Sequence, residues 1–183
     1  MRFLVDYMLE RSPLGCEVRF EPDVGIVGHS FGGWTALAAA ETERRIGAVV
    51  ALAPAGNSNP KPGMLRAPLD FDWGRDVPTL YLVAEDDVSL PLAGMYELFA
   101  RTRATKRFVI LRQADHLHFV DDVEQEHEIV RDMTFSRELA WLPKEMRPIE
   151  QLCSGHTAHS FTCVLTLCHM DATLRHKPQA ETF

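Results

Sequence analysis

Val24-Gly25-Ile26-Val27-Gly28-His29-Ser30-Phe31-Gly32-Gly33-Trp34-Thr35-Ala36-Leu37-Ala38-Ala39-Ala40 is the stretch on which the fold turns. Its first four residues form a short apolar run of the kind found in a strand buried on both faces. From Trp34 onward, an alanine-rich segment reads as a helix. Between them stands Gly28-His29-Ser30-Phe31-Gly32, a G-x-S-x-G pattern. A turn this sharp puts Ser30 in a strained backbone conformation. A side chain at Gly28 or Gly32 is expected to collide with the neighbouring strand or helix, and Gly33 permits still closer helix approach. The turn would lift the Ser30 hydroxyl above the end of the sheet. The Phe31 N–H, at the helix N-terminus, would then face any negative charge developing there.

Outward from this centre, strand alternates with helix. Upstream, residues 3–11 carry Phe3, Leu4, Met8 and Leu9 and read as a helix stopped by Ser12-Pro13 and Gly15. Downstream, residues 46–52 form a second buried strand. Residues 54–77, with Pro54, Pro60, Pro62 and Pro68, read as a long irregular loop. Pro78 opens a third strand over 79–84, and Leu92, Met95, Tyr96 and Phe99 then mark one apolar face of a helix. A fourth strand over 107–111 runs to Gln113-Ala114-Asp115-His116. Residues 119–183 read as helical, charged over 121–131 and then amphipathic, with Phe161, Val164, Leu165 and Cys168 on one face. No internal repeat interrupts the pattern. The class is α/β, a parallel sheet of about four strands flanked by helices in a single domain over 1–183.

A serine hydroxyl is a poor nucleophile without a base, so a histidine and an orienting carboxylate should follow it, at the carboxyl ends of later strands. Two strand ends answer. Glu85-Asp86-Asp87 closes the third strand, and Asp115-His116 closes the fourth. Asp87 competes with Asp86 and Glu85 for the carboxylate. His116 is nearer the strand end than His118, which makes it the better base and leaves His118 as a packing or substrate-pocket residue. His29 is read as a packing residue of the turn and Trp34 as core. Trp73, on the long loop, is either a wall of the substrate pocket or a loop anchor.

On these residues the chain resembles the α/β-hydrolase superfamily, near its dienelactone-hydrolase-like and acetylhydrolase-like serine esterases, over roughly residues 15–122. The double-glycine elbow Gly28-His29-Ser30-Phe31-Gly32-Gly33 carries the resemblance. So do Asp87 placed four residues before Pro91, and Ala114-Asp115-His116 followed by Phe119. It implies carboxylic-ester hydrolysis through an acyl-enzyme, with Ser30 as nucleophile, His116 as base, Asp87 as its orienting acid and the Phe31 N–H in the oxyanion hole. Another acyl transfer (thioesterase, peptidase, acyltransferase) or a catalytically silent interaction module is the alternative. Dienelactone hydrolases proper use a cysteine where this chain has Ser30. The family's sheet normally has four further strands before the one leading to the elbow, and 183 residues leave no room for them. The expectation is therefore a partial α/β-hydrolase fold with its N-terminal strands missing, a fragment of a longer product. Its first strand would be an unpaired apolar edge prone to self-association, and its second oxyanion donor would be absent.

The composition, 46% hydrophobic and 25% charged, is ordinary for a globular chain. A net charge of −7 without a Lys/Arg cluster argues against nucleic acid or an anionic membrane as partner; the resemblance implies a small-molecule ester as substrate. The four cysteines, Cys16, Cys153, Cys163 and Cys168, are few and unevenly spread, and the N-terminus has no cleavage-site pattern. A reduced, cytoplasmic setting is expected. Cys153, His156, His159, Cys163, Cys168 and His169 have the right residue types for a metal. They lack paired C-x-x-C units, so no metal site is expected, and the acyl-enzyme route that the resemblance implies needs no organic cofactor.

Overall fold

The computed structural model describes residues 1–11 and 23–180. The expected helix stop at Ser12-Pro13 and Gly15, Cys16, and the last three residues lie outside them. Helix α1 spans Arg2–Arg11, and strand β1, Val24–His29, runs into helix α2, Phe31–Thr42. Strands β2 (Ile46–Leu52) and β3 (Thr79–Ala84) follow, then helix α3 (Leu92–Arg101), strand β4 (Lys106–Leu111) and a 3₁₀ turn over His116–Phe119. Helices α4 (Val123–Asp132), α5 (Leu142–Glu145) and α6 (Gly155–Leu174) complete the elements used below. The four strands lie in the order β1-β2-β3-β4, and all three pairings are parallel.

Burial follows position in the sheet. The central strands β2 and β3 are apolar throughout because both of their faces are covered. Val49, Ala51, Tyr81 and Val83 point into one core with Leu37, Trp73 and Leu98. Val50, Leu52, Leu80 and Leu82 point into the other, where Ala158, Leu165 and Met170 of α6 close over them. Each large side chain buried in this way contributes about 1.5–3 kcal/mol. Strand β1 pairs only with β2, so its outer edge is unpaired among the described residues, and Val27 on it is 47% exposed.

Two helical faces differ from the sequence expectation. In α3 the buried side chains are Met95 and Leu98, whereas Tyr96 is exposed and lies across Phe108, with ring centroids 5.0 Å apart. In α6 the sheet-facing side is Ala158, Leu165 and His169, while Phe161, Val164 and Leu167 face outward. In α6, polar residues such as His156, Thr157, Ser160 and Thr166 are interleaved with the apolar ones around the helix, so no single stripe orients it and contacts with the sheet set its rotation.

The amino end of the sheet is held by a buried carboxylate. Glu43, at the end of α2, accepts hydrogen bonds from Arg45 Nε at 2.8 Å and from its terminal nitrogen at 2.7 Å. Arg45 in turn pairs with Asp6 of α1 at 2.6 Å. The Arg45 hydrogen bonds hold the Glu43 carboxyl at about 2, below its ordinary 4.5, against the opposing effect of burial. A depressed carboxylate contributes stability above its unfolded value and loses it as pH falls from about 4.5 through about 2. Glu43→Gln is therefore expected to lower unfolding free energy by about 1.5–3 kcal/mol at neutral pH. The variant should also lose less stability than the parent between pH 5 and pH 3. Denaturant titrations at the three pH values check this, and an unchanged acid limb would refute it.

Candidate active site

The turn after β1 has the geometry that the sequence demands of it. Ser30 sits at φ 57° and ψ −119°, a conformation that non-glycine residues rarely adopt. It is pinned from β2, since the Ser30 N–H donates to the Leu52 carbonyl at 2.9 Å and the Ser30 carbonyl accepts from the Ala55 N–H at 3.0 Å. A Cβ on Gly28 would stand 2.1 Å from the Gly32 carbonyl oxygen, and one on Gly33 would stand 2.9 Å from Pro54. Gly32 is different from the expectation, because a Cβ there meets nothing within 4 Å. The closely packed partner of Gly28 is the Gly32 backbone, and that contact leaves the Gly32 Cβ direction open. Phe31 is the first residue of α2, so its N–H has no partner within the helix and sits at the positive end of the helix dipole. Its side chain stacks on Trp34 at 4.8 Å.

Three strand ends bring one chain of hydrogen bonds together. Ser30 Oγ lies 3.0 Å from His116 Nε2, and His116 Nδ1 lies 2.7 Å from Asp87 Oδ2. The other carboxylate oxygen, Oδ1, accepts from the Ser89 and Leu90 N–H groups, each at 2.8 Å, which fixes the carboxylate plane. An ionised carboxylate only accepts, so the proton of a neutral His116 sits on Nδ1 and Nε2 is free to receive the Ser30 proton. Burial works to lower the His116 pKa. The Asp87 charge and hydrogen bond, with Asp115 behind them, outweigh burial and hold it above 6.5. His29 lies against this imidazole, with ring centroids 4.5 Å apart. Burial, then the charge of His116, push His29 down to about 4, so it stays neutral and packs.

The neighbouring carboxylates have other partners. Glu85 accepts from the Gln113 N–H at 3.0 Å, and Asp86 pairs with Arg147 at 3.0 Å. His118 is two residues from His116 but is buried away from Ser30. Its Nδ1 lies 2.8 Å from Asp115 Oδ1, and its Nε2 donates to the Cys153 carbonyl at 3.0 Å. With both nitrogens occupied inside the protein, His118 offers nothing to a substrate, so of its two expected roles, packing or substrate pocket, the geometry fits packing. Burial opposes its charge, but the Asp115 hydrogen bond and charge prevail and raise its pKa. Fully buried His127 of α4 brings Nε2 to 3.1 Å from Asp115 Oδ2. Sequence reasoning missed this Asp115–His118–His127 cluster. The Asp-x-x-His spacing of a capped turn was the available signal.

Trp73, expected as either a pocket wall or a loop anchor, sits as an anchor. It is 8% exposed, in the core beneath α2 and α3, with its Nε1–H on the Asp70 carbonyl at 3.1 Å. Nearby, Arg75 donates to the Ile46 and Glu43 carbonyls at 2.6 and 2.9 Å. Those carbonyls mark the amino end of the sheet, opposite Ser30. A loop that leaves the carboxyl end of β2 must return to the amino end before entering parallel β3, so residues just before Val77 cannot overhang Ser30. Among the described residues, no group of three His, Cys, Asp or Glu side chains is placed to hold a metal ion, and no helix is long and apolar enough to cross a membrane.

No protein-family model matches the chain, and no curated protein does. Among solved structures, the chain is similar to MGS-M1, an alpha/beta hydrolase enzyme from a Medee basin deep-sea metagenome library. The two are 16% identical with a TM-score of 0.55, and the match covers 91% of this chain and 62% of that one. The esterase domain of a Rhodothermus marinus protein matches at 24% identity over 58% of this chain and 55% of that one, with a TM-score of 0.44. A serine hydrolase involved in carbazole degradation, the CarC enzyme, matches at 17% identity over 62% and 64%, with a TM-score of 0.46. This chain thus spans less than two thirds of the length of each of these three proteins. The four parallel strands and their flanking helices, superposed on MGS-M1 over 91% of the chain, have the α/β-hydrolase fold over part of its extent.

Proposed function

We propose that this chain is a serine hydrolase acting on carboxylic esters. The observation that carries the reading is the unbroken relay from Ser30 Oγ through His116 to Asp87, at 3.0 and 2.7 Å. In the first half-reaction, His116 Nε2 takes the Ser30 proton as Oγ bonds to the acyl carbon. The carbonyl oxygen becomes an oxyanion facing the Phe31 N–H. His116 then returns the proton to the departing alcohol as the ester C–O bond breaks, leaving an acyl-Ser30. Water repeats the sequence, its proton passing through His116 to Ser30 Oγ as the acid leaves. Asp87 holds the imidazole in orientation and stabilises the imidazolium.

The outer edge of β1, unpaired among the described residues and with Val27 exposed on the strand, supports a second proposal: that the chain self-associates through this edge. One experiment tests both readings. Fractions from a sizing column are treated with a fluorophosphonate, and the modified peptide is identified. The expected result is labelling at Ser30, lost in Ser30→Ala, in material eluting ahead of a 20.7 kDa monomer. A folded protein that takes no label refutes the hydrolase reading. A monodisperse monomer refutes the association.

A further inference from the structure

A cavity of about 240 Å³ lies against His116, bounded by the turn after β3, the turn after β4, the end of α4 and the segment leading into and through α5. Besides His116, its wall is built from Val88, Leu117, Met133, Phe135, Leu142 and Met146. The α5 side is anchored at several points. Trp141 Nε1–H donates to the Pro62 carbonyl at 3.0 Å, Lys61 pairs with Glu145, and Arg147 pairs with Asp86 at 3.0 Å. The wall is therefore fixed before any ligand arrives, which lowers the cost of binding.

We infer that this cavity receives the apolar alcohol portion of the ester, an alkyl or aryl group of about six to eight carbons, an inference that rests on the serine-hydrolase reading. Size sets the ligand class. A dry apolar cavity of about 150 Å³ takes one benzene ring, so 240 Å³ takes a somewhat larger group but not a whole substrate. Chemistry sets which end of the ester enters. When the tetrahedral intermediate collapses, the oxygen that leaves is the one His116 protonates, so its substituent must lie on the His116 side. The acyl carbon stays bonded to Ser30 and its oxygen stays at the Phe31 N–H. The cavity wall includes His116 but neither Ser30 nor Phe31, which matches the leaving group and not the acyl chain. Departure of the alcohol would also open the His116 face to the water of the second half-reaction.

The test compares acetate esters of straight-chain alcohols, ethyl to octyl, with ethyl esters of straight-chain acids of the same lengths. The kcat/KM values in the alcohol series should rise about fourfold per added methylene until the cavity is full, with the acid series nearly flat. Leu142→Trp, which fills the cavity, should abolish that rise, so that hexyl acetate loses its advantage over ethyl acetate. An acid series that rises while the alcohol series stays flat overturns the inference, as does an absence of length dependence in both. A second measurement needs no turnover. With methyl-¹³C methionine, 1-hexanol should shift the Met133 and Met146 methyl resonances in the parent and not in Leu142→Trp. Unmoved resonances in the parent overturn the cavity assignment, whereas shifts in a protein that hydrolyses no ester overturn the hydrolase reading instead.

Discussion

His116→Ala should lower kcat/KM for a short-chain ester by about 10⁴–10⁶-fold, while His118→Ala lowers it by less than about tenfold. The two side chains are chemically identical and two residues apart, so the contrast isolates geometry. His116 stands between Ser30 Oγ and Asp87, and removing it leaves the hydroxyl without a base. His118 has its nitrogens on Asp115 and the Cys153 carbonyl. Its loss is felt as stability, about 1–3 kcal/mol for the buried groups left unpaired. The pH profile adds an independent readout. His116 must be neutral to accept the Ser30 proton, and its pKa stands above 6.5, so the acid limb of kcat/KM should have its midpoint above pH 6.5. His29, pushed down to about 4, should contribute no limb in that range. A larger kinetic loss at His118 than at His116 would reverse the assignment of the base.

The second large effect belongs to a glycine. Gly28→Ala should lower Tm by about 10 °C or more and abolish fluorophosphonate labelling of Ser30, whereas Gly32→Ala should be close to neutral for both. The new methyl at position 28 would sit 2.1 Å from a backbone oxygen, that of Gly32. No rotamer change relieves a clash with backbone. Either the turn opens or α2 shifts, and both move Ser30 and the Phe31 N–H together. At Gly32 the same methyl meets nothing within 4 Å. Thermal melts of the two variants alongside labelling decide the matter. A Gly28→Ala protein with parental Tm and full labelling would mean that the turn does not have the tight geometry described here.

The four strands, the helix after the turn and the place of Ser30 were legible from the sequence for one physical reason. Strands buried on both faces must be apolar along their whole length, and a sharp strand-to-helix turn admits only small residues at its closest approach. Ile46–Leu52 and Thr79–Ala84 meet the first requirement, and Gly28 meets the second. Direction was legible too, though not used: parallel pairing of β2 and β3 alone excludes Trp73 from the Ser30 end of the sheet. Sequence ranked chemically equal neighbours by position alone, His116 by its nearness to the strand end and Asp87 by its spacing to Pro91. Asp86 and Asp87, or His116 and His118, differ only in where the turn aims them, and that is set by backbone hydrogen bonds such as those from Ser89 and Leu90 to Asp87. The rotation of α6 was undetermined because its apolar and polar residues are interleaved around the helix with no single stripe, so Phe161 and Val164 turn outward while Leu165 and His169 turn in. Of the cluster of Asp115, His118 and His127, only the capped turn pairing Asp115 with His118 had a signal in the sequence, because His127 comes from a separate helix. Periodicity reports which face of an element is apolar, but pairing across elements exists only once the chain has packed.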